Sequence, residues 1–147
     1  MNSSIPLYQI QQLATNFAAI RLPLFSCNVP AGFPSPADDY IESRLSLDEH
    51  LVPHKDSTFL VRAKGNSMIE AGIFDGSILI VDKSLTPVSG DIVVAVLEGE
   101  FTVKYLIKRG NTIALKPANA QCKEIEFKEG QELQIWGVVT STVKKYR

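Results

Sequence analysis

From Thr58 onward the chain is a succession of short apolar runs: Thr58–Ala63, Ser77–Val81, Ile92–Leu97, Glu100–Lys108, Thr112–Lys116 and Leu133–Val143. They are rich in Val, Ile and Leu and are separated by Gly, Asn, Asp and Pro, which predicts strands divided by turns. Glu100–Lys108 alternates, with Phe101, Val103, Tyr105 and Ile107 on one face and Thr102, Lys104, Leu106 and Lys108 on the other. Glu98-Gly99 stands between two runs as a two-residue hairpin loop would, and Arg109-Gly110-Asn111 offers a second reversal from residues that tolerate positive φ. The expected body is mostly β and antiparallel.

The region before Ser57 follows a different pattern. Leu22–Pro36 contains four prolines, and the only charged side chain before Asp38 is Arg21. Proline removes a backbone donor and forbids a helix interior, so an extended arm is expected. Its Leu22, Leu24, Phe25, Val29 and Phe33 make it too apolar for a solvated linker, which predicts that it docks. Behind it, Asp38 and Asp39 as N-caps, Glu42 in a first turn, and Ile41 and Leu45 four apart predict a short helix. The expected division is an extended arm leading into a short helix, up to residue 56, and a β-rich domain over 57–147.

Composition narrows the class. A chain of 147 residues with 45% hydrophobic and 21% charged residues can bury a core and suits one compact domain with a tail. Its 15 Lys+Arg against 16 Asp+Glu leave a net charge of -1, unlike a disordered acidic tail or a strongly basic duplex binder. No stretch reaches the ~18 consecutive apolar residues of a membrane span, and the N-terminus lacks the pattern of an export signal. Two cysteines, Cys27 and Cys122, fit reduced thiols in a cytosol and rule out a disulfide framework or a Cys-rich zinc site. No metal or organic cofactor is implied.

Gly65-Asn66-Ser67-Met68 breaks the strand pattern just after Thr58–Ala63, and a glycine before a serine suits a tight turn that presents a hydroxyl. Read alone, it is an ordinary polar turn. As a nucleophile, Ser67 needs a base. His50 and His54, near Asp48 and Glu49, allow a Ser-His-Asp triad on paper, but their setting is that of surface histidines. Lys104 is the alternative: charged lysines usually sit in solvent, but one desolvated beside Leu106 would lose its proton more readily and could act as a base. Neutral Lys104 would then deprotonate Ser67, and amides of the Gly65–Met68 turn would hold the oxyanion.

Several separated blocks in a fixed order carry a family resemblance. They are Phe33-Pro34-Ser35-Pro36-Ala37 with Asp39-Tyr40, Gly65-Asn66-Ser67-Met68 with Gly72-Ile73 and Asp75-Gly76, Leu79-Ile80-Val81-Asp82, Gly90-Asp91-Ile92-Val93, Gly99-Glu100-Phe101-Thr102-Val103-Lys104, and Gly137-Val138-Val139. From about Leu22 to the C-terminus the chain resembles the LexA/UmuD-type family of self-cleaving serine peptidases. The resemblance implies a LexA/UmuD-like β domain, Ser67 as nucleophile, Lys104 as general base, and Ala31-Gly32 as the bond cut, which divides a removable arm over 1–31 from a connecting arm and short helix over 32–56. Gly32 removes a Cβ from the path of attack, and Pro30 and Pro34 keep the flanks extended. Asn66 and Ser77 stand where acidic residues are frequent in the family.

The same resemblance implies a cytoplasmic homodimer, cleavage stimulated by a RecA filament on single-stranded DNA, and a shortened product that joins a Y-family DNA polymerase for error-prone translesion synthesis. Direct sequence-specific DNA binding and membrane association are not expected. Three other classes compete. A LexA-type repressor would need a DNA-binding domain in the proline-broken ~31 residues before the cut, and a signal peptidase would need a membrane anchor. A non-catalytic dimeric module that regulates a polymerase would have no use for Ser67, Lys104 and Ala31-Gly32 together.

Overall fold

The computed structural model describes residues 19–25, 41–127 and 132–147. The chain divides into two units, residues 1–50 and 51–147.

In the first unit, β1 (Leu22–Phe25) pairs antiparallel with β2 (Ile41–Leu45), Leu22 opposite Leu45 and Leu24 opposite Ser43. The predicted extended conformation holds at Leu22–Phe25. The helix predicted around Ile41 and Leu45 does not form, because those residues are strand. Five residues hardly nucleate a helix in isolation, whereas a strand partner satisfies their backbone groups at once. The helix starts later, as α1 (Leu47–Leu51). Ser46, 3% exposed, accepts a hydrogen bond from the Glu49 amide at 3.4 Å through Oγ, and its carbonyl accepts the His50 amide at 2.9 Å. Ser46-Leu47-Asp48-Glu49 is therefore the capping signal, in the Ser-x-x-Glu form. Arg21 clasps the Glu49 carboxylate through two 3.0 Å contacts from one guanidinium nitrogen.

The second unit is a seven-stranded antiparallel sheet of β3 (Thr58–Arg62), β4 (Ile78–Asp82), β5 (Ile92–Leu97), β6 (Glu100–Arg109), β7 (Thr112–Lys116), β8 (Ile125–Phe127) and β9 (Gln134–Val143). The spatial order is β3-β4-β9-β5-β6-β7-β8. Six of these strands coincide with the predicted runs to within a residue or so; β8, three residues long, was too short to stand out. The β5–β6 turn is the predicted two-residue loop, with Leu97 paired to Glu100 and positive φ at both Glu98 (51°) and Gly99 (79°). Right-handed sheet twist favours that backbone.

The continuous apolar runs of β4 and β5 reflect burial on both faces. Leu79, Val81 and Val94 join Ala63, Met68, Ile73 and Ala118 in one core cluster, while Val93 and Ala95 join Leu106, Leu115, Phe127 and Val138 in another. β9 is shared between β4 and β5 and carries two register shifts, opposite Ile80/Val81 and opposite Val94/Ala95. Such bulges raise local twist and coil the sheet. No helix among the described residues is long and apolar enough to cross a membrane.

Candidate active site

Ser67 lies in the segment between β3 and β4, and Lys104 in the middle of β6. In strand order β6 lies four places from β3 and three from β4. At ~4.8 Å per strand a flat sheet would separate them by roughly 14–19 Å. Coiling of the sheet and the inward fold of the β3–β4 segment bring Lys104 Nζ to 3.0 Å from Ser67 Oγ.

The turn before the serine is fixed by backbone requirements. Gly65 has φ of +85°, and a Cβ there would meet nothing within 4 Å, so glycine is needed for conformation rather than for space. Its amide donates to Asp75 Oδ1 at 2.8 Å. Asn66 is exposed, whereas Met68 is 2% exposed and anchors the turn in the core. Met68 Sδ accepts the Ala118 amide at 3.3 Å, and the Ala118 carbonyl accepts the Glu70 amide at 2.8 Å.

Lys104 sits on the β6 face predicted from alternation, with Thr102 and buried Leu106; Val93 lies opposite it on β5. Besides Ser67, its Nζ donates to Thr102 Oγ1 at 2.8 Å and to the Val103 carbonyl at 3.1 Å. Burial pulls the ammonium below its ordinary value of 10.5, with the electrostatic influence of the Cys122 thiol group acting in the opposite direction. A neutral amine has two hydrogens and one lone pair. Thr102 and Val103 can take the two hydrogens, which leaves the lone pair for the Ser67 hydroxyl. The pair borders a cleft of about 170 Å³ with Val61, Ala63, Met68 and Val103 among its walls. Its size suits a small side chain on an extended peptide.

His54 is placed away from Ser67 within the second unit. His54 Nδ1 lies 2.6 Å from Oδ2 of Asp82, which is 2% exposed and also accepts Ser57 Oγ, Ser84 Oγ and the Ser84 amide. Asp82 pairs with Thr58 at the start of β3, whereas Ser67 follows the far end of that strand. His50 belongs to α1 in the first unit. Ala31 and Gly32 lie outside the described residues.

Sequence reasoning grouped Thr102 with Lys104 by alternation but gave it no role. It missed Asn119, which is 7% exposed and donates from Nδ2 to the Asn66 carbonyl at 2.9 Å. No local pattern links positions 53 residues apart.

The chain is 46% identical to protein SamA of Salmonella typhimurium over 125 residues, covering 85% of this chain and 86% of that one. It is 42% identical to protein ImpA of Escherichia coli over 125 residues, 85% of each. With protein MucA of Escherichia coli it shares 40% over 123 residues, 83% of this chain and 84% of the other. Residues 23–140, a span that holds Ser67, Lys104 and the whole β3–β7 framework around them, match the Peptidase S24-like family, and the chain belongs to that family of serine peptidases.

Proposed function

We propose that the chain is a self-cleaving serine peptidase in which Ser67 attacks the carbonyl carbon of Ala31 while Lys104 takes the hydroxyl proton. The observation that carries this reading is the 3.0 Å approach of Lys104 Nζ to Ser67 Oγ, with the other two Nζ contacts made by oxygen acceptors. The attack gives a tetrahedral oxyanion. The Gly65 amide is bonded to Asp75 and the Ile69 amide faces the Asn66 carbonyl at 3.4 Å, so the three amides between them, at Asn66, Ser67 and Met68, are assigned to that oxygen. Collapse breaks the Ala31-Gly32 bond as the Lys104 proton passes to the Gly32 nitrogen. The product at this stage is the Gly32–Arg147 chain with a free Gly32 amine and with the Ala31 acyl group esterified to its Ser67. Water, deprotonated by Lys104, then hydrolyses the ester.

Because the substrate is part of the same chain, its effective concentration is of the order of mM or higher, enough for a slow dyad to turn over once. By its resemblance to the LexA/UmuD-type family, we assign the protein to the SOS response. It acts as a cytoplasmic homodimer whose cleavage is accelerated by a RecA filament on single-stranded DNA. The shortened dimer then joins a Y-family polymerase in translesion synthesis.

Intact mass followed over hours at pH 7 and near pH 10 tests the chemistry. The expected result is a Gly32–Arg147 fragment that forms faster at alkaline pH and is absent in Ser67→Ala and Lys104→Ala. A chain that stays whole even with RecA, ATP and single-stranded DNA would overturn the peptidase reading in favour of a non-catalytic binding module.

A further inference from the structure

We propose that Asn119 is a positioning residue for the nucleophile, holding the Asn66–Ser67 peptide in the orientation that the Ser67 amide and hydroxyl need for catalysis. The proposal rests on the serine-peptidase reading above and adds to it a residue outside the dyad and the nucleophile turn.

Asn119 is nearly buried, and both ends of its side-chain amide are in use. Nδ2 donates to the Asn66 carbonyl at 2.9 Å, and Oδ1 accepts the Gln121 amide at 2.9 Å. The two contacts fix which end is which, since a flipped amide would set donor against donor and acceptor against acceptor. The carbonyl that it grips belongs to the peptide joining Asn66 to Ser67. In a trans peptide the C=O and N–H lie in one plane and point in opposite directions, so fixing the carbonyl also fixes the Ser67 N–H. A hydrogen bond to the carbonyl also polarises the peptide and strengthens its N–H as a donor.

The surroundings make Asn119 a rigid support. The Cys122 amide donates to the Asn119 carbonyl at 3.0 Å, closing a turn on the residue. Its neighbours bind the same nucleophile segment: Ala118 bonds Met68 Sδ and the Glu70 amide, and the Ala120 amide donates to Glu70 Oε1 at 3.2 Å. These flanking contacts hold the segment in place, and of the residues 118–120 it is Asn119 that reaches the peptide plane of the serine. Its loss would leave the Asn66 carbonyl with the long 3.4 Å contact from Ile69 as its protein partner among the described residues.

The test uses the full-length chain, with wild type, Asn119→Asp, Asn119→Ala and Ser67→Ala. Asn119→Asp keeps an acceptor for Gln121 and, ionised at alkaline pH, has no proton to donate; Asn119→Ala removes both contacts. First-order loss of intact chain is followed from pH 6 to 11 beside thermal melts and ¹⁵N–¹H spectra. The expected result is a ~10- to 100-fold lower plateau rate in both variants. The midpoint of the pH profile in Asn119→Ala, which adds no charge, should stay where it is in wild type, and in both variants the Ser67 amide resonance should shift while those of central β4 and β9 do not.

Folded variants that cleave within about twofold of wild type would overturn the proposal. So would an Asn119→Ala midpoint moved toward the ordinary lysine range, which would mean that Asn119 acts by shielding Lys104. If wild type itself does not cleave, the peptidase reading fails, and the Ser67 amide resonance decides the positioning claim alone: unmoved in Asn119→Asp, it ends that claim. If neither variant folds, hydrogen exchange of wild type decides, since a gripped Nδ2 proton is protected from solvent and a freely exchanging one contradicts the bond.

Discussion

Lys104 Nζ stands 3.0 Å from Ser67 Oγ and is held there by Thr102 Oγ1 at 2.8 Å and the Val103 carbonyl at 3.1 Å. The arrangement suits an amine that gives two hydrogens and accepts one, which separates a base from a mere cation. Lys104→Arg keeps the charge but cannot shed a proton near neutrality. Self-cleavage is expected to fall at least ~10³-fold in Lys104→Arg, Lys104→Ala and Ser67→Ala. Intact-mass kinetics check this, and substantial activity in Lys104→Arg would show that the lysine works as a charge.

The pH dependence follows from the desolvated amine. Burial disfavours the ammonium, so Lys104 titrates below 10.5. The active form is the neutral one, so the cleavage rate should rise about tenfold per pH unit below the folded-state pKa and level off before pH 10.5. Rates measured from pH 6 to 11 locate the midpoint. A rate that continues to rise through 10.5 would place the lysine in solvent.

Thr102→Val replaces the hydroxyl nearest Nζ with a methyl of similar shape. The amine loses one of the acceptors that aim its lone pair, and the ammonium loses one that stabilises its charge. We expect a plateau rate roughly tenfold lower, with the pH midpoint unmoved or shifted downward. An upward shift would contradict the assigned role.

Two glycines should fail for different reasons. A Cβ at Gly137 would meet Val81 Cγ1 at 2.6 Å inside the sheet, so Gly137→Ala is expected to cost ~1–3 kcal/mol by overpacking. Gly65→Ala has open space but must hold φ of +85°, at a cost of ~1–2 kcal/mol. Denaturant melts give both losses. Cleavage should suffer beyond the stability loss only for Gly65→Ala, which sits in the nucleophile turn.

Asp82 is a structural carboxylate. Its bond with His54, then that with Ser84, holds it well below the usual carboxylate range of about 3.8. A carboxyl depressed in the fold contributes stability that is full above its unfolded value and is lost as pH falls toward the folded value. Asp82→Asn should therefore lower Tm by several degrees at pH 7, with the gap narrowing below pH 3.8. A gap that stays constant from pH 7 to 2.5 would sink this account.

The strands of the body were legible in the sequence because local rules set them. Glu98-Gly99 is a hairpin wherever two strand-forming runs flank it, and the alternation of Glu100–Lys108 puts Thr102 beside Lys104 regardless of what lies around them. The helix was misplaced because Asp38, Asp39, Ile41 and Leu45 fit a helical pattern as well as Ser46 and Glu49 do; strand pairing across the intervening residues decided between them. The blocks of residues shared with a family pointed to Ser67 and Lys104 as a pair. The meeting of their side chains required the rest of the chain. β9, the last strand in sequence, lies between β4 and β5 and is bulged on both sides. Its bulges coil the sheet, and this coiling, with the inward fold of the β3–β4 segment, closes the gap between Ser67 and Lys104. Asn119 was invisible for the same reason: its hydrogen bond to Asn66 exists only after β6 and β7 have carried it beside the serine turn. Local propensity and pattern act over a few residues, whereas a 3.0 Å contact between residues 37 apart is decided by the packing of the whole sheet.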